Sequence, residues 1–332
     1  MAETVLNAAT PFNLRQLMSA CVCLARKGGC IIAEEYRKGQ LGAHNKKVDG
    51  DSRGVEEMAA NEVLTVADCR SQHAIVTSLR AMFPGLHLVG EEGEVEGSEE
   101  LTLLKDVPLL DDFHDEDVPV NLQESLTPAH TCLWIDPLDG TKEFVMGNLE
   151  KVTVLIGIAV AGRPVAGVMH QPFRPGTPDN DMLGRSIFGA IGVGVFTDTG
   201  ETPVSDAPKE MILTMSASTS KEAHVRSAIQ SFASPPEIVH MGATGNKLLH
   251  VLSGEVSASI AGPGPSRWDT CAGEALLMAV GGKVTDLAGS VYSYIEGGTY
   301  ENKEGCIAAR TAQIHAEILQ AFASGEHEKP RL

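Results

Sequence analysis

Trp134-Ile-Asp136-Pro-Leu-Asp139-Gly-Thr141 is the stretch that decides how this chain is read. The apolar run Cys132-Leu-Trp-Ile135 predicts a buried strand, which delivers two carboxylates, three residues apart, into a turn closed by Gly140. Carboxylate oxygens suit hard cations, and Mg2+ takes one or two of them together with waters and substrate phosphate oxygens. An Asp-Pro/Asp-Gly loop whose aspartates merely bond nearby backbone N–H groups would show the same letters. Thr141-Lys-Glu-Phe144 can begin a helix, which would turn the N–H groups of Gly140 and Thr141 toward a phosphate beside the aspartates.

Downstream of the motif, two long β runs, Val152–Val160 and Pro164–His170, are separated by Ala161-Gly-Arg163, the pattern of a hairpin, and the β pattern continues through Ser186–Phe196. Upstream, Leu14, Leu17, Met18, Cys21, Leu24, Ala25, Ile31 and Ile32 recur at steps of mostly three and four, which predicts a helix from about Asn13 to Tyr36. Leu64-Thr-Val-Ala-Asp68 reads as extended, a second helical stripe runs from Ala74 to Met82 and stops at Pro84, and Leu86–Gly90 reads as a short strand. From Met211 onward strands and helices alternate to the end, which implies sheets covered by helices.

Three further acidic positions fall at strand ends or strand-to-helix junctions, where open α/β layers place their sites. They are Glu91 in Gly90-Glu91-Glu92, Asp269 in Trp268-Asp269-Thr270, and Asp68. Each has a plain alternative: an exposed acidic pair for Glu91-Glu92, and helix capping for Asp68 and Asp269. Lys247, after Gly242-Ala-Thr-Gly-Asn246, stands at a predicted helix start, so ammonium and helix N-terminus together would hold a second phosphate or a ribose; a surface lysine is the alternative.

The bulk numbers fit a globular protein. The chain has 332 residues, 43% hydrophobic and 21% charged, enough for a substantial core. Its net charge of −18 argues against a surface that attracts nucleic acid or anionic membranes, so an anionic substrate needs locally placed cations. Eleven acidic residues between Glu94 and Glu124, against Lys105 alone, read as a solvated insertion. Seven cysteines without CxxC spacing read as reduced, partly buried thiols. No signal-peptide pattern and no run of about 18 apolar residues is seen, so the cytoplasm is the expected compartment.

With these residues in view, the chain resembles the lithium-sensitive, magnesium-dependent phosphatase superfamily that includes the inositol monophosphatases. Its signature is an Asp-Pro-(Ile/Leu)-Asp-(Gly/Ser)-Thr run with Gly-Glu-Glu upstream and Trp-Asp downstream; Gly90-Glu91-Glu92, Asp136–Thr141 and Trp268-Asp269 match it in order. Trp134–Phe144, Val152–Ile158, Gly167–Pro172 and Gly245-Asn-Lys247 are similar to the 3′(2′),5′-bisphosphate nucleotidase family within it. That resemblance implies a layered αβαβα sandwich of the inositol monophosphatase/fructose-1,6-bisphosphatase type. Residues 1–210 would form an α+β part with a large antiparallel sheet, interrupted by the acidic insertion at about 94–130. Residues 211–332 would form an α/β part with a smaller mixed sheet, and the site would lie between them.

The resemblance also implies roles. Glu91, Asp136, Asp139, Asp269 and the Leu138 carbonyl would ligate two or three Mg2+, while Asp68 paired with Thr141 would activate the attacking water. Gly140, Thr141, Ser218, Gly242, Lys247 and Asp269 would hold the substrate, a small phosphorylated metabolite: adenosine 3′,5′-bisphosphate or its sulfated form, with loss of the 3′-phosphate, under inhibition by Li+. One departure is Met215-Ser-Ala-Ser218, where nucleotidases of this kind commonly carry Thr-Arg-Ser-His. Three rivals stand beside this reading: an inositol polyphosphate 1-phosphatase acting on inositol 1,4-bisphosphate, a haloacid-dehalogenase-type phosphatase with Asp136 as nucleophile, and a non-catalytic phosphometabolite-binding protein.

Overall fold

The computed structural model describes residues 11–39, 44–45, 63–94, 104–174, 184–201 and 203–325. The chain begins with α1 (Leu14–Lys38), then a small antiparallel pair, β1 (His44–Asn45) with β2 (Val63–Leu64). There follow α2 (Val66–Met82), β3 (His87–Gly90), α3 (Val120–Ser125), β4 (Thr131–Asp139), α4 (Thr141–Met146), β5 (Thr153–Val160), β6 (Arg163–Gln171), β7 (Arg185–Ala190) and β8 (Gly194–Thr197). The remainder is β9 (Ile212–Met215), α5 (Ala223–Gln230), β10 (Glu237–His240), α6 (Thr244–Ser253), β11 (Ala258–Ala261), α7 (Arg267–Ala279), β12 (Lys283–Thr285), β13 (Cys306–Ala309) and α8 (Ala312–Gly325).

Helix α1 starts where its cap dictates: the Asn13 side chain accepts the Gln16 N–H, and Gly39 ends the helix in the left-handed region. By length and composition α1 would span a bilayer, yet most of it is buried against the sheet strands β5, β6 and β7. Its apolar stripe belongs to the protein core. The segment Leu64–Asp68, expected to be extended throughout, leaves β2 after Leu64 and turns helical at Val66. Thr65 and Asp68 form a capping box there, and two satisfied N-terminal donors outweigh the β preference of Thr and Val.

Strands β3 to β8 form a six-stranded sheet in sequence order. It is antiparallel except at one edge, where β3 runs parallel to β4. The hairpin between β5 and β6 has the two-residue loop Ala161-Gly162, both with positive φ, as a tight right-twisted hairpin requires. The second sheet has the order β10-β9-β11-β13-β12 and is mixed.

Packing stacks these into five layers, α1/α2, large sheet, α6/α7, small sheet and α5/α8. Strand β13 shows the alternation that allows it: Cys306 and Ala308 face the middle core, while Ile307 and Ala309 face the outer one. The acidic insertion is anchored as well as solvated. Phe113, Val118, Leu122 and Leu126 are buried, and the Arg15 guanidinium donates to the Leu110 carbonyl at 2.8 Å. Its carboxylates from Asp106 to Glu124 point to solvent; Glu96, Glu99 and Glu100 lie outside the described residues. No disulfide joins the cysteines among the described residues, and burial pushes the thiols of Cys132 and Cys306 up to about 12.

Helix α7 lies unusually close to the large sheet. A Cβ on Gly157 would stand 2.5 Å from the Cys271 Cβ, and one on Gly167 would stand 2.6 Å from the Ala272 carbonyl oxygen. These two glycines are cross-strand partners, so they make one bare platform for the helix backbone. Gly167→Ala is expected to lower stability by about 1–3 kcal/mol, because the obstacle is backbone that cannot swing aside. A urea midpoint equal to that of the wild type would refute the close seating of α7.

Candidate active site

Strand β4 is buried along its whole length. With a side-chain period of two, residues 136 and 139 belong on opposite faces of a regular strand. The pairing with β5 breaks that rule: Asp136 faces Leu155 and Asp139 faces Thr153, so Pro137 and Leu138 together stand opposite one residue. The bulge lets both aspartates reach the same side. Asp269, on the first turn of α7, meets them there, and one carboxylate oxygen from each of the three lies within 4.8 Å of the others. Asp136 and Asp269 stand close enough for each carboxylate to act on the other's charge.

Burial dominates the electrostatics of this cluster and works against ionisation. It raises the Asp136 carboxyl well above the usual range, with the charges of Glu91, Asp139 and Asp269 adding to the effect. Asp269 is pushed up to about 7 by burial, then by Glu91 and Asp139. Asp139 rises only to about 6, because donors from Thr153, Gly245 and Thr244 and the charge of Lys247 oppose its burial. Glu91 follows β3, its N–H bonded to the Ile135 carbonyl at 3.0 Å, and its charge acts on Asp136, Asp269 and Asp68. Such a group of oxygens attracts either protons or a cation, and oxygen-only donors select hard divalent ions.

Beside the cluster, the Thr141 hydroxyl sits between Asp68 and the motif, 3.0 Å from Asp68 Oδ1 and 3.1 Å from the Leu138 carbonyl. Burial lifts Asp68 to about 6 against the donors of Thr65 and Thr141. The capping reading of Asp68 and Asp269 holds, and it leaves each carboxylate in reach of the candidate site. Asp68 Oδ2 accepts the Thr65 N–H at 2.8 Å while Oδ1 receives Thr141; Asp269 Oδ2 accepts the Ser266 N–H at 2.5 Å, and Asp269 also stands beside Asp136. Thr65 and Ser266 escaped the sequence reading, although Thr65-Val-Ala-Asp68 and Ser266-Arg-Trp-Asp269 carry the capping-box spacing that marks them.

The N-terminus of α6 does something other than expected. Its Thr244 and Gly245 N–H groups donate to Asp139, at 3.1 and 2.7 Å, and the buried Thr153 hydroxyl adds a third donor at 2.9 Å. Asp139 therefore caps α6 from another element, and these N–H groups serve a carboxylate of the cluster in place of a phosphate. Thr153 had no signal in the sequence, because its role depends on the β4–β5 register. Lys247 is buried, so it is no surface lysine; burial lowers its pKa while Asp139 and Asp269 act in the opposite direction, which makes it the local counter-charge.

Two of the other expected substrate contacts are placed by packing. Gly242 lies against Glu143, whose carboxylate would overlap any Cβ there, and Gly140, with φ 89, lies against Ala243. Ala243 itself holds φ 59, a conformation that costs an alanine on the order of 1–3 kcal/mol and that Asp139 on the neighbouring N–H groups helps to hold. Ser218 stands apart on the exposed turn after β9, bonded to Ser216 Oγ at 2.8 Å. No described contact joins it to the carboxylates.

Comparison with known proteins agrees with this architecture. The Inositol monophosphatase family matches residues 13–327. The human 3′(2′),5′-bisphosphate nucleotidase 1 is 36% identical over 302 residues, covering 89% of this chain and 91% of its own. The Dictyostelium discoideum protein of the same name is 33% identical over 323 residues, covering 93% and 98%. Among solved structures, inositol monophosphatase II of Staphylococcus aureus superposes with a TM-score of 0.64 at 17% identity, covering 94% of each chain. From the layered fold, the order of the acidic motifs and these relatives, the chain belongs to the inositol monophosphatase family of phosphatases.

Proposed function

We propose that the protein is a Mg2+-dependent bisphosphate nucleotidase that removes the 3′-phosphate of adenosine 3′,5′-bisphosphate and of its sulfated form. The observation that carries this reading is the buried, oxygen-only cluster of Asp136, Asp139 and Asp269 with the Asp68–Thr141 pair beside it. The names of the relatives, bisphosphate nucleotidases at 33–36% identity, supply the substrate class. Asp136, Asp139, Asp269, Glu91 and the Leu138 carbonyl would hold two or three metal ions. When bound there, Mg2+ neutralises charge on the transferring phosphoryl group and the leaving oxygen and acidifies a neighbouring water.

The chain's own residues do the rest. Asp68, near pKa 6 and so mostly ionised at neutral pH, accepts the proton of the attacking water, and Thr141 orients that water from its place between Asp68 and the Leu138 carbonyl. Gly140 and Thr141 present backbone N–H groups at the start of α4 to the reacting phosphate. Lys247, with Gly242 on the same segment, supplies cationic charge next to the cluster for an anionic substrate. Ser218, on its exposed turn, contacts the part of the substrate away from the reacting phosphate.

Asp136→Asn tests the metal reading. Asparagine keeps an oxygen for the Leu138 N–H, 3.0 Å away, and resembles the protonated carboxyl that burial favours, so the chelated variant should fold and melt like the wild type. Its phosphatase activity should fall by several orders of magnitude; near-normal turnover would sink the assignment. The thermal midpoint of chelated wild type should fall as pH rises from about 4 to 7 and level off beyond. The raised carboxyls of Asp139 and Asp269, near 6 and 7, contribute stability that is fully present below their unfolded values and is lost as pH rises through their folded ones.

Mg2+ at pH 8 should restore the midpoint by mass action. A midpoint that is flat with pH and indifferent to Mg2+ would remove the cation from the site. Phosphate release from adenosine 3′,5′-bisphosphate, its sulfated form, inositol 1,4-bisphosphate, inositol 1-phosphate and fructose 1,6-bisphosphate decides the substrate, with the first two expected to lead and Li+ to inhibit. Preference for inositol 1,4-bisphosphate would reassign the leaving group, and no release from any of them would leave a binding protein.

A further inference from the structure

Glu274 is a fully buried carboxylate in the middle of α7, on a helix that otherwise presents Cys271, Ala272, Ala275 and Leu276 to its surroundings. A carboxylate buried without a task is costly, and an apolar residue of similar volume would fold more easily. Its partners show the task. The Tyr294 hydroxyl donates to Glu274 Oε2 at 2.6 Å and lies 3.1 Å from Thr270 Oγ1, one turn back along α7. Thr270 Oγ1 in turn donates to the carbonyl of Ser266, the N-cap residue, at 3.2 Å. The Asn302 amide nitrogen reaches both Thr270 Oγ1 and that carbonyl, at 3.4 Å each.

This chain of bonds ends where the candidate site begins. Ser266 is the residue whose N–H donates to Asp269, and Asp269 is the carboxylate that meets Asp136. A second, independent clamp holds the same turn: the Arg267 N–H donates to the Tyr300 carbonyl and the Asn302 N–H to the Pro265 carbonyl, each at 2.8 Å. The outer end of the network is also fixed, since Arg163 bridges Glu274 at 3.4 Å and the Tyr292 carbonyl, and the Tyr294 ring packs edge-on against Trp134.

We propose that Tyr294 and Glu274 are positioning residues for Asp269: through the Tyr294 hydroxyl they lock the first turn of α7 and so set where the Asp269 carboxylate stands relative to Asp136. They touch neither substrate nor metal, and the inference rests on the metal reading given above. A carboxylate held by packing and by bonds behind it keeps its geometry for a cation, whereas one on a loosened helix end gives up affinity without loss of fold.

The test is calorimetric titration of Mg2+ into the full chain at pH 7.5, with kcat and KM for adenosine 3′,5′-bisphosphate and the melting point in chelator measured alongside. Tyr294→Phe keeps the ring against Trp134 and removes only the hydroxyl. It should weaken Mg2+ binding by about five- to tenfold and lower kcat, with KM within about twofold and a melting point only a few degrees lower. Thr270→Val, which severs the same link at its other end, should do likewise and serves if the tyrosine variant does not fold. Glu274→Gln, which still accepts from Tyr294, should keep Mg2+ affinity within about twofold of the wild type. Folded Tyr294→Phe or Thr270→Val with wild-type Mg2+ affinity overturns this proposal alone. Wild-type protein that takes up no Mg2+ overturns the metal reading and this proposal together.

Discussion

Everything in the candidate site depends on how near α7 comes to the large sheet. The helix rests on Gly157 and Gly167, paired across β5 and β6, through the Cys271 side chain over the first and the Ala272 backbone over the second. At the usual spacing of a helix on a sheet, Asp269 would ride outward with the helix and lose its contact with Asp136, which stands on the neighbouring strand. The same approach builds the middle core, in which Trp134, Leu155 and Met169 of the large sheet meet Cys271, Ala272 and Leu276 of α7. Packing and chemistry thus share one contact. A close fit between α7 and the sheet is at once a hydrophobic seam and the contact that brings Asp269 to Asp136 and Asp139.

That assembly sets like charges side by side in a dry place, which is unfavourable without compensation. The protein compensates unevenly. Asp139 collects three donors and the nearby Lys247, and so stays closest to its ordinary acidity, whereas Asp136 has the Leu138 N–H and three neighbouring negative charges. The gradient from an anion-like Asp139 to a proton-holding Asp136 is a direct consequence of where the N-terminus of α6 and Thr153 lie. A divalent cation relieves the whole group at once, which is why oxygen chemistry and burial point to the same occupant.

Asp68 and Asp269 show how one side chain can cap a helix and face the candidate site together. In each, one oxygen closes a capping box and the carboxylate also reaches the site. A helix start is a sound mount for a reactive acid, because the cap fixes the rotamer that aims it. Capping a helix and facing the candidate site are therefore compatible in one side chain. The Glu274–Tyr294 network extends the same economy one turn deeper into α7.

What the sequence by itself determined is what depends on near neighbours along the chain. The stripe of α1, the hairpin at Ala161-Gly162, the alternating second half and a buried strand leading into the acidic motif were legible, since each follows from local dihedral preferences and contacts a few residues apart, although β4 runs on through both aspartates where a turn was expected. Even locally, competition misled at Leu64–Asp68, where a capping box prevailed over β-branched residues. The rest needed partners that sequence order does not show. The bulge that turns Asp136 and Asp139 to one side exists only against β5, Thr153 meets Asp139 only in that register, and Lys247 becomes buried only between α6 and the cluster. The donors of α6 went to Asp139 rather than to a phosphate because the stacked layers carry that carboxylate to the helix end. Side-chain type was written in the chain; which side chains share a few ångströms was decided by long-range packing, whose geometry is a property of the whole fold.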